Sequence, residues 1–386
     1  DEVTLEQTRF FVGEHKPSDT QWSIPLFATP ESLGEMLDEP RKVVHVESDA
    51  DIQLNHDLGA HFVAKYDEKL RARLLERAEN GELSTLDKIG LLQDIPLLAR
   101  AGLDSSANLI DLALAFKHET NERVYAMAAN ALAELRKFVE EDDAARVKLK
   151  QLSANFARPT YERLGWDASD GESDGDRERR ASALSLMMYG EDGVVLEEAK
   201  RRFDTQRLEK LSPELRASII SAAVRHFETP ELVDQLFEMY RSTPSNDLQM
   251  DIMLGLTSTQ NTATTKRILA AIQDSTIIRP QDATYWFVYL IRMRDSREIA
   301  WNWLKDNWTW IEETYKGDKS YDDFARYSAG ALLTRAELEE YRAYFDAKRD
   351  EPALTRTIDL GIREIAARVK LIERDRVAVI ERLGAS

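Results

Sequence analysis

The chain contains no cysteine, so disulfides, thiolate metal sites and cysteine nucleophiles are all excluded, and a cytoplasmic home is the expectation. It also lacks a long apolar run. The longest, Tyr285 to Ile291, falls far short of the roughly 18 residues a membrane span needs, so no membrane partner is expected. Basic charge is outnumbered: 52 Lys and Arg stand against 70 Asp and Glu, the formal net charge is −18, and residues 1–66 and the remainder are each acidic. Neither part offers a phosphate backbone a cationic face, which argues against nucleic-acid binding. No signal-like segment opens the chain. It starts at Asp1, without Met and already inside a strand-like pattern, so a preceding segment in the natural protein is expected. With 386 residues, at least two domains are expected.

Two periodicities divide the sequence. Over residues 1–66 apolar side chains alternate: Trp22, Ile24 and Leu26, then Val44 and Val46, Ile52 and Leu54, Phe62 and Ala64. Breakers separate them at Gly13 to Asp19, Pro30 to Pro40 and Asn55 to Gly59. This pattern predicts five short strands in a small antiparallel β-sandwich. From Asp67 the period becomes helical, so residues 67–386 form the second predicted domain. Ser84 with Asp87 and Thr334 with Glu337 carry capping spacing, while Ser212-Pro213, Thr229-Pro230 and Thr243-Pro244 read as further helix starts. Short amphipathic helices must stack to bury their stripes, and no fixed repeat length is present. The fold class expected is therefore mainly α: the β-sandwich followed by a large, HEAT-like, curved solenoid. Leu354 to Ile380 keeps helical spacing over about 28 residues, a closing helix of about 42 Å.

Few motifs carry chemistry. The one His-Glu pair, His118-Glu119, has Glu122 where a His-Glu-x-x-His zinc motif needs its second imidazole, so it reads as a helix turn. His56 and His61, five apart across a turn, make a weak metal pair. Gly171-Glu172-Ser173-Asp174-Gly175 spells a nucleophile elbow, but the polar Asp167 to Asp170 cannot form the strand that must deliver the serine. The same loop lacks the twelfth-position acid of a calcium hand, where Ala181 stands. An acidic loop feeding a helix that starts near Asp176 is the better reading. Trp301, Trp303, Trp308 and Trp310 give two apolar helical faces and read as core. Arg292, Arg294 and Arg297, beside an apolar stretch in an acidic protein, are the candidates to receive a carboxylate; salt bridges to local acids are the alternative.

Several segments together resemble the aminopeptidase N family, including its endoplasmic-reticulum antigen-trimming members. They are Thr4 to Phe10, Trp22 to Leu26, Asn55 to Asp67, Leu86 to Leu92 (with Lys88 where Arg is usual), Gly165-Trp166 with Gly171 to Ser173, Ala300 to Trp308, and Ile372 to Asp375. The resemblance implies the non-catalytic C-terminal part of an enzyme that removes N-terminal residues from peptides. It further implies one zinc in a preceding thermolysin-like domain of the same chain, and a helical domain that encloses the substrate chamber and limits peptide access. Neither the zinc motif nor the Gly-x-Met-Glu-Asn substrate loop occurs here, so no catalytic or metal residue is assigned and this part alone should be inactive. The family's opening sandwich strand is not recognisable either, which leaves a sheet edge able to pair with a second copy. Under the resemblance, Arg292, Arg294 and Arg297 would hold the far carboxylate of a peptide. The alternatives are a free-standing helical scaffold for protein partners and, ranked last, a hydrolase using Ser173.

Overall fold

The computed structural model describes residues 1–13 and 18–385; the middle of the first predicted breaker, residues 14–17, lies outside the described residues. The chain is mainly helical with a few short strands. Its contacts gather into two compact units, one of Asp1–Gly190 with the chain from Arg374 on, the other Glu191–Glu373.

The strands lie in the first unit. β1 (Glu2–Glu6) pairs antiparallel with β4 (Arg41–His45), and β2 (Ile24–Pro25) pairs with β3 (Met36–Leu37). Leu5, Leu26, Leu33, Leu37, Val44 and Ile52 form their shared buried cluster, so alternation reports the inward face where strands exist. Two predicted strands differ. Gln53 makes only an isolated bridge to Thr29, and Phe62 to Ala64 form no strand. There the backbone donors are taken by side chains rather than a ladder: Leu54 N–H donates to the Tyr66 hydroxyl (2.8 Å) and Ala64 N–H to the Asp94 carboxylate (2.9 Å). β3, conversely, lies inside the predicted Pro30 to Pro40 breaker, because two residues are too few to show a period.

The helices of the first unit are α1 (Glu68–Glu79), α2 (Thr85–Ala101), α3 (Asn108–Leu114), α4 (Glu122–Glu134), α5 (Arg136–Val139), α6 (Asp143–Leu164) and α7 (Asp174–Tyr189). Successive helices pack on one another, α2 on α3 and α4, and α6 on α7. Ser84 caps α2 by accepting from Asp87 N–H (3.1 Å), as its spacing predicts.

The second unit holds α8 (Gly193–Thr205), α9 (Pro213–Phe227), α10 (Pro230–Ser242), α11 (Asn246–Leu256) and α12 (Thr262–Ile272). It continues with α13 (Pro280–Arg292), α14 (Arg294–Asp306), α15 (Trp308–Tyr315), α16 (Asp323–Ala331) and α17 (Arg335–Asp346). Pro213 and Pro230 do open helices. Thr243-Pro244 does not: Thr243 closes α10, and Ser245 caps α11 by accepting from Leu248 N–H (3.3 Å). Thr334 and Glu337 close a reciprocal capping box on α17. The tryptophan segment is two helices rather than one, broken at Asn307, and Leu304, Trp308, Ile311 and Tyr315 are buried as that face requires.

The closing helix α18 (Pro352–Ala385) has 34 residues, about 51 Å. Leu354, Ile358, Ile365 and Val369 are buried in the second unit and Val379 and Leu383 in the first. Between them the stripe position is Asp375, buried and bonded to Ser106.

Candidate functional site

The site is a cavity of about 250 Å³ between α13 and α16. Helix α13 is apolar on more than half its circumference. Ala283, Trp286, Phe287, Leu290 and Ile291 pack inward. The neighbouring stripe at three- and four-residue spacing, Gln281, Thr284, Tyr285, Val288, Tyr289 and Arg292, lines the cavity. Ser320, Asp323 and Tyr327 line it from the other side.

Both walls are held from behind. The Phe287 and Phe324 rings meet at 5.2 Å between centroids, fixing α13 against α16. The Tyr315 hydroxyl donates to the Pro280 carbonyl at the start of α13 (2.8 Å). At the start of α16 the Thr357 hydroxyl donates to Asp322 Oδ2 (2.5 Å), and the Tyr341 hydroxyl donates to the Ala325 carbonyl (3.1 Å). Apart from Ser320, in the turn before α16, the lining side chains therefore stand on anchored helices.

The three arginines predicted from sequence are separated. Arg292 is exposed at the end of α13 and reaches the cavity, with its guanidinium 5.6 Å from the centre of the Tyr327 ring. It makes no ion pair among the described residues. Arg297 is 9% exposed and donates from Nη2 to the Arg292 carbonyl (3.4 Å), supporting the helix end that carries Arg292. Arg294 lies 3.6 Å from Asp295, which also receives Arg225 at 3.1 Å.

Three further groups of the cavity were not anticipated. Burial first, and then the neighbouring carboxylate of Asp322, push the Asp323 carboxyl above its ordinary range. Asp323 makes no ion pair among the described residues; Arg326 acts on it from beyond ion-pair range. Thr284 is 7% exposed and Tyr327 half-buried. The signal available in sequence was the spacing of Tyr285, Tyr289 and Arg292, an aromatic stripe offset from the core stripe of the same helix.

The other sequence motifs have structural occupations. His118 is exposed, whereas Glu119 turns inward to accept from Lys88 Nζ (2.7 Å) and from the amides of Thr120 (2.7 Å) and Asn121 (2.8 Å). Lys88 and those amides overcome the effect of burial and hold its carboxyl below the usual range. His118 and Glu119 do not fit zinc, because Glu119 is committed to a lysine and a turn. Among the described residues no group of three histidine or acidic side chains is arranged to hold a metal ion. His56 instead contacts Thr29 Oγ1 through Nε2 (2.6 Å) and stands 3.6 Å from Asp87, while His61 is exposed.

Ser173 is the N-cap of α7 and accepts from Asp176 N–H (3.1 Å); Glu172 forms a buried ion pair with Arg180. The loop thus feeds a helix, which begins at Asp174, two residues earlier than the sequence reading. Trp301 and Trp308 are buried, and Trp301 Nε1 donates to Glu340 (2.8 Å).

No helix among the described residues is long and apolar enough to cross a membrane. Residues 52–367 match the ERAP1-like C-terminal domain family. The chain is 31% identical over 384 residues to aminopeptidase N of Lactobacillus helveticus, covering 98% of this chain and 45% of that protein. It is 31% identical over 388 residues to aminopeptidase N of Lactococcus lactis subsp. lactis, with 98% and 46% covered. Similarity extends to aminopeptidase M1-C of Oryza sativa subsp. japonica, 28% identical over 329 residues, 83% of this chain and 37% of that one. The chain spans a little under half the length of these bacterial relatives. It belongs to the ERAP1-like C-terminal domain family and is the C-terminal region of an aminopeptidase N family protein.

Proposed function

We propose that this chain is the non-catalytic part of a zinc-dependent, cytoplasmic aminopeptidase, walling the substrate chamber and governing which peptides enter. In this reading residues 1–66 are a reduced β-sandwich and residues 67–386 a HEAT-like helical domain. The partner is a thermolysin-like domain of the same polypeptide, which holds the zinc, and the open edge of β1 is a place where a second copy of the chain adds. The cavity at Arg292 receives the carboxylate at the far end of a peptide substrate.

One observation carries the peptide contact. A guanidinium that is always charged lines a cavity large enough for a residue and makes no ion pair among the described residues. Arg297 supports this role from behind through the Arg292 carbonyl, whereas Arg294 lies beside Asp295. An arginine–carboxylate contact at a half-open site contributes on the order of 1–2 kcal/mol, or about tenfold in affinity.

The test is Arg292→Glu in the complete aminopeptidase, assayed on a length series of peptides and on an aminoacyl-arylamide. The expected result is a tenfold or larger loss of kcat/KM on peptides long enough to reach the cavity, with the arylamide unchanged. Equal loss on both substrates removes the reading.

A further inference from the structure

The cavity at Arg292 is also lined by a charge of opposite sign. Asp323 lines it from α16, half-buried, with no ion pair and no side-chain hydrogen bond among the described residues. Here Arg292 and Asp323 line one cavity, yet no nitrogen–oxygen approach within 4.0 Å joins them. The helices that carry them are held by the Phe287–Phe324 contact and by hydrogen bonds at their starts. Burial raises the cost of a lone carboxylate, as the upward displacement of the Asp323 carboxyl records, and a cation placed beside it would offset that cost.

The rest of the lining matches a ligand with charged ends and an apolar middle. Tyr285, Tyr289 and Tyr327 are among the lining residues, and Tyr285 is 52% exposed. Thr284 is more than nine-tenths buried, and no partner for its hydroxyl is found among the described residues. A fully apolar ligand would strand three polar groups here, and an anion alone would face Asp323.

We infer that this cavity takes a ligand carrying both a carboxylate and a cationic amine or guanidine. Such a ligand is a basic α-amino acid, either free or as the last residue of a peptide, with the carboxylate on Arg292 and the cation on Asp323. The inference rests on the Arg292 reading above and adds a selectivity which that reading does not contain. Aromatic walls suit the same ligand, because tyrosine faces attract the cation and cover the methylene stem.

The experiment is calorimetric binding to this chain of four tetrapeptides, Ala-Ala-Ala-Lys, its C-terminal amide, Ala-Ala-Ala-Leu and Ala-Ala-Ala-Glu, together with free lysine. The lysine peptide should bind about tenfold more tightly than the leucine peptide, and the glutamate peptide more weakly than either. Asp323→Asn should abolish the lysine preference while leaving the leucine peptide unchanged; Arg292→Ala should weaken every peptide with a free carboxylate. Free lysine binding as tightly as the lysine peptide would identify the amino acid itself as the ligand; weaker binding would assign the site to peptide ends. Equal affinity for the lysine and leucine peptides, with amidation still harmful, overturns this inference and leaves the Arg292 reading intact. Indifference to amidation and to Arg292→Ala, or no binding of any probe at millimolar concentration, overturns both.

Discussion

Replacing Asp375 with alanine should destabilise the first unit more than any surface substitution. Asp375 is 4% exposed on α18 and accepts from Ser106 N–H (2.9 Å), from the Ser106 hydroxyl (2.5 Å) and from Arg374 Nε and Nη2 (both 2.6 Å). Burial opposes its charge, but Arg374 and the two Ser106 donors outweigh it and hold the carboxyl below the usual range. A hydrogen bond to a buried charge contributes about 1.5–3 kcal/mol. The Arg374 pair counts for less, since the arginine side chain is 37% exposed. Taking the two Ser106 bonds at the low end of that range and adding a discounted pair gives a loss of about 3–4 kcal/mol for Asp375→Ala. In a unit of roughly 200 residues this corresponds to a fall in Tm of about 6–16 °C.

Scanning calorimetry with amide exchange around Ser106 would read the effect, and Asp375→Asn should be intermediate. The folded carboxyl titrates below its unfolded value of about 4. Its contribution is therefore complete above that pH and is lost as pH falls through the folded value, so wild type and variant should converge in acid. A shift under 1 °C at pH 7, or a gap that widens in acid, would refute the reasoning.

Other outcomes follow from the same structure. Asp94→Asn should stabilise the protein at pH 8 by on the order of 1–2 kcal/mol and change little at pH 4, read by chemical denaturation. Burial raises the Asp94 carboxyl to about 6, so its contribution is present below pH 4 and lost as pH rises through 6. Gly255→Ala should lower the Tm of the second unit despite alanine's better helix propensity. A Cβ there would collide with Ile220 Cγ2 and stand 2.9 Å from its Cβ where α9 and α11 pack, an overpacking cost of about 1–3 kcal/mol. Ser173→Ala should cost about 1 kcal/mol of stability through the lost α7 cap, measured by denaturant titration; an esterase activity that vanishes with the substitution would contradict the capping role.

Helix starts were legible because caps act locally: Ser84, Thr334 with Glu337, and the prolines at 213 and 230 sit where their chemistry places them. Thr243-Pro244 misled because Ser245 lies nearer the free amides of α11. Strands were less legible, since the amides of Leu54 and Ala64 bond to Tyr66 and Asp94, partners distant in sequence that no alternation reveals. The arginine cluster falls across the end of α13 and the start of α14. Which arginine faces the cavity depended on α13 stopping at Arg292, so that Arg297 falls on the buried side of the next helix. Asp323 was illegible because the lack of an ion pair among the described residues is not something that spacing encodes.

The central claim, a part that holds peptides but cleaves none, is tested most directly by assaying this chain beside the longer aminopeptidase with aminoacyl-arylamides, and by measuring the zinc each retains after purification. The account predicts hydrolysis and stoichiometric zinc in the longer protein and neither in this chain. Zinc-dependent turnover by this chain alone would contradict it.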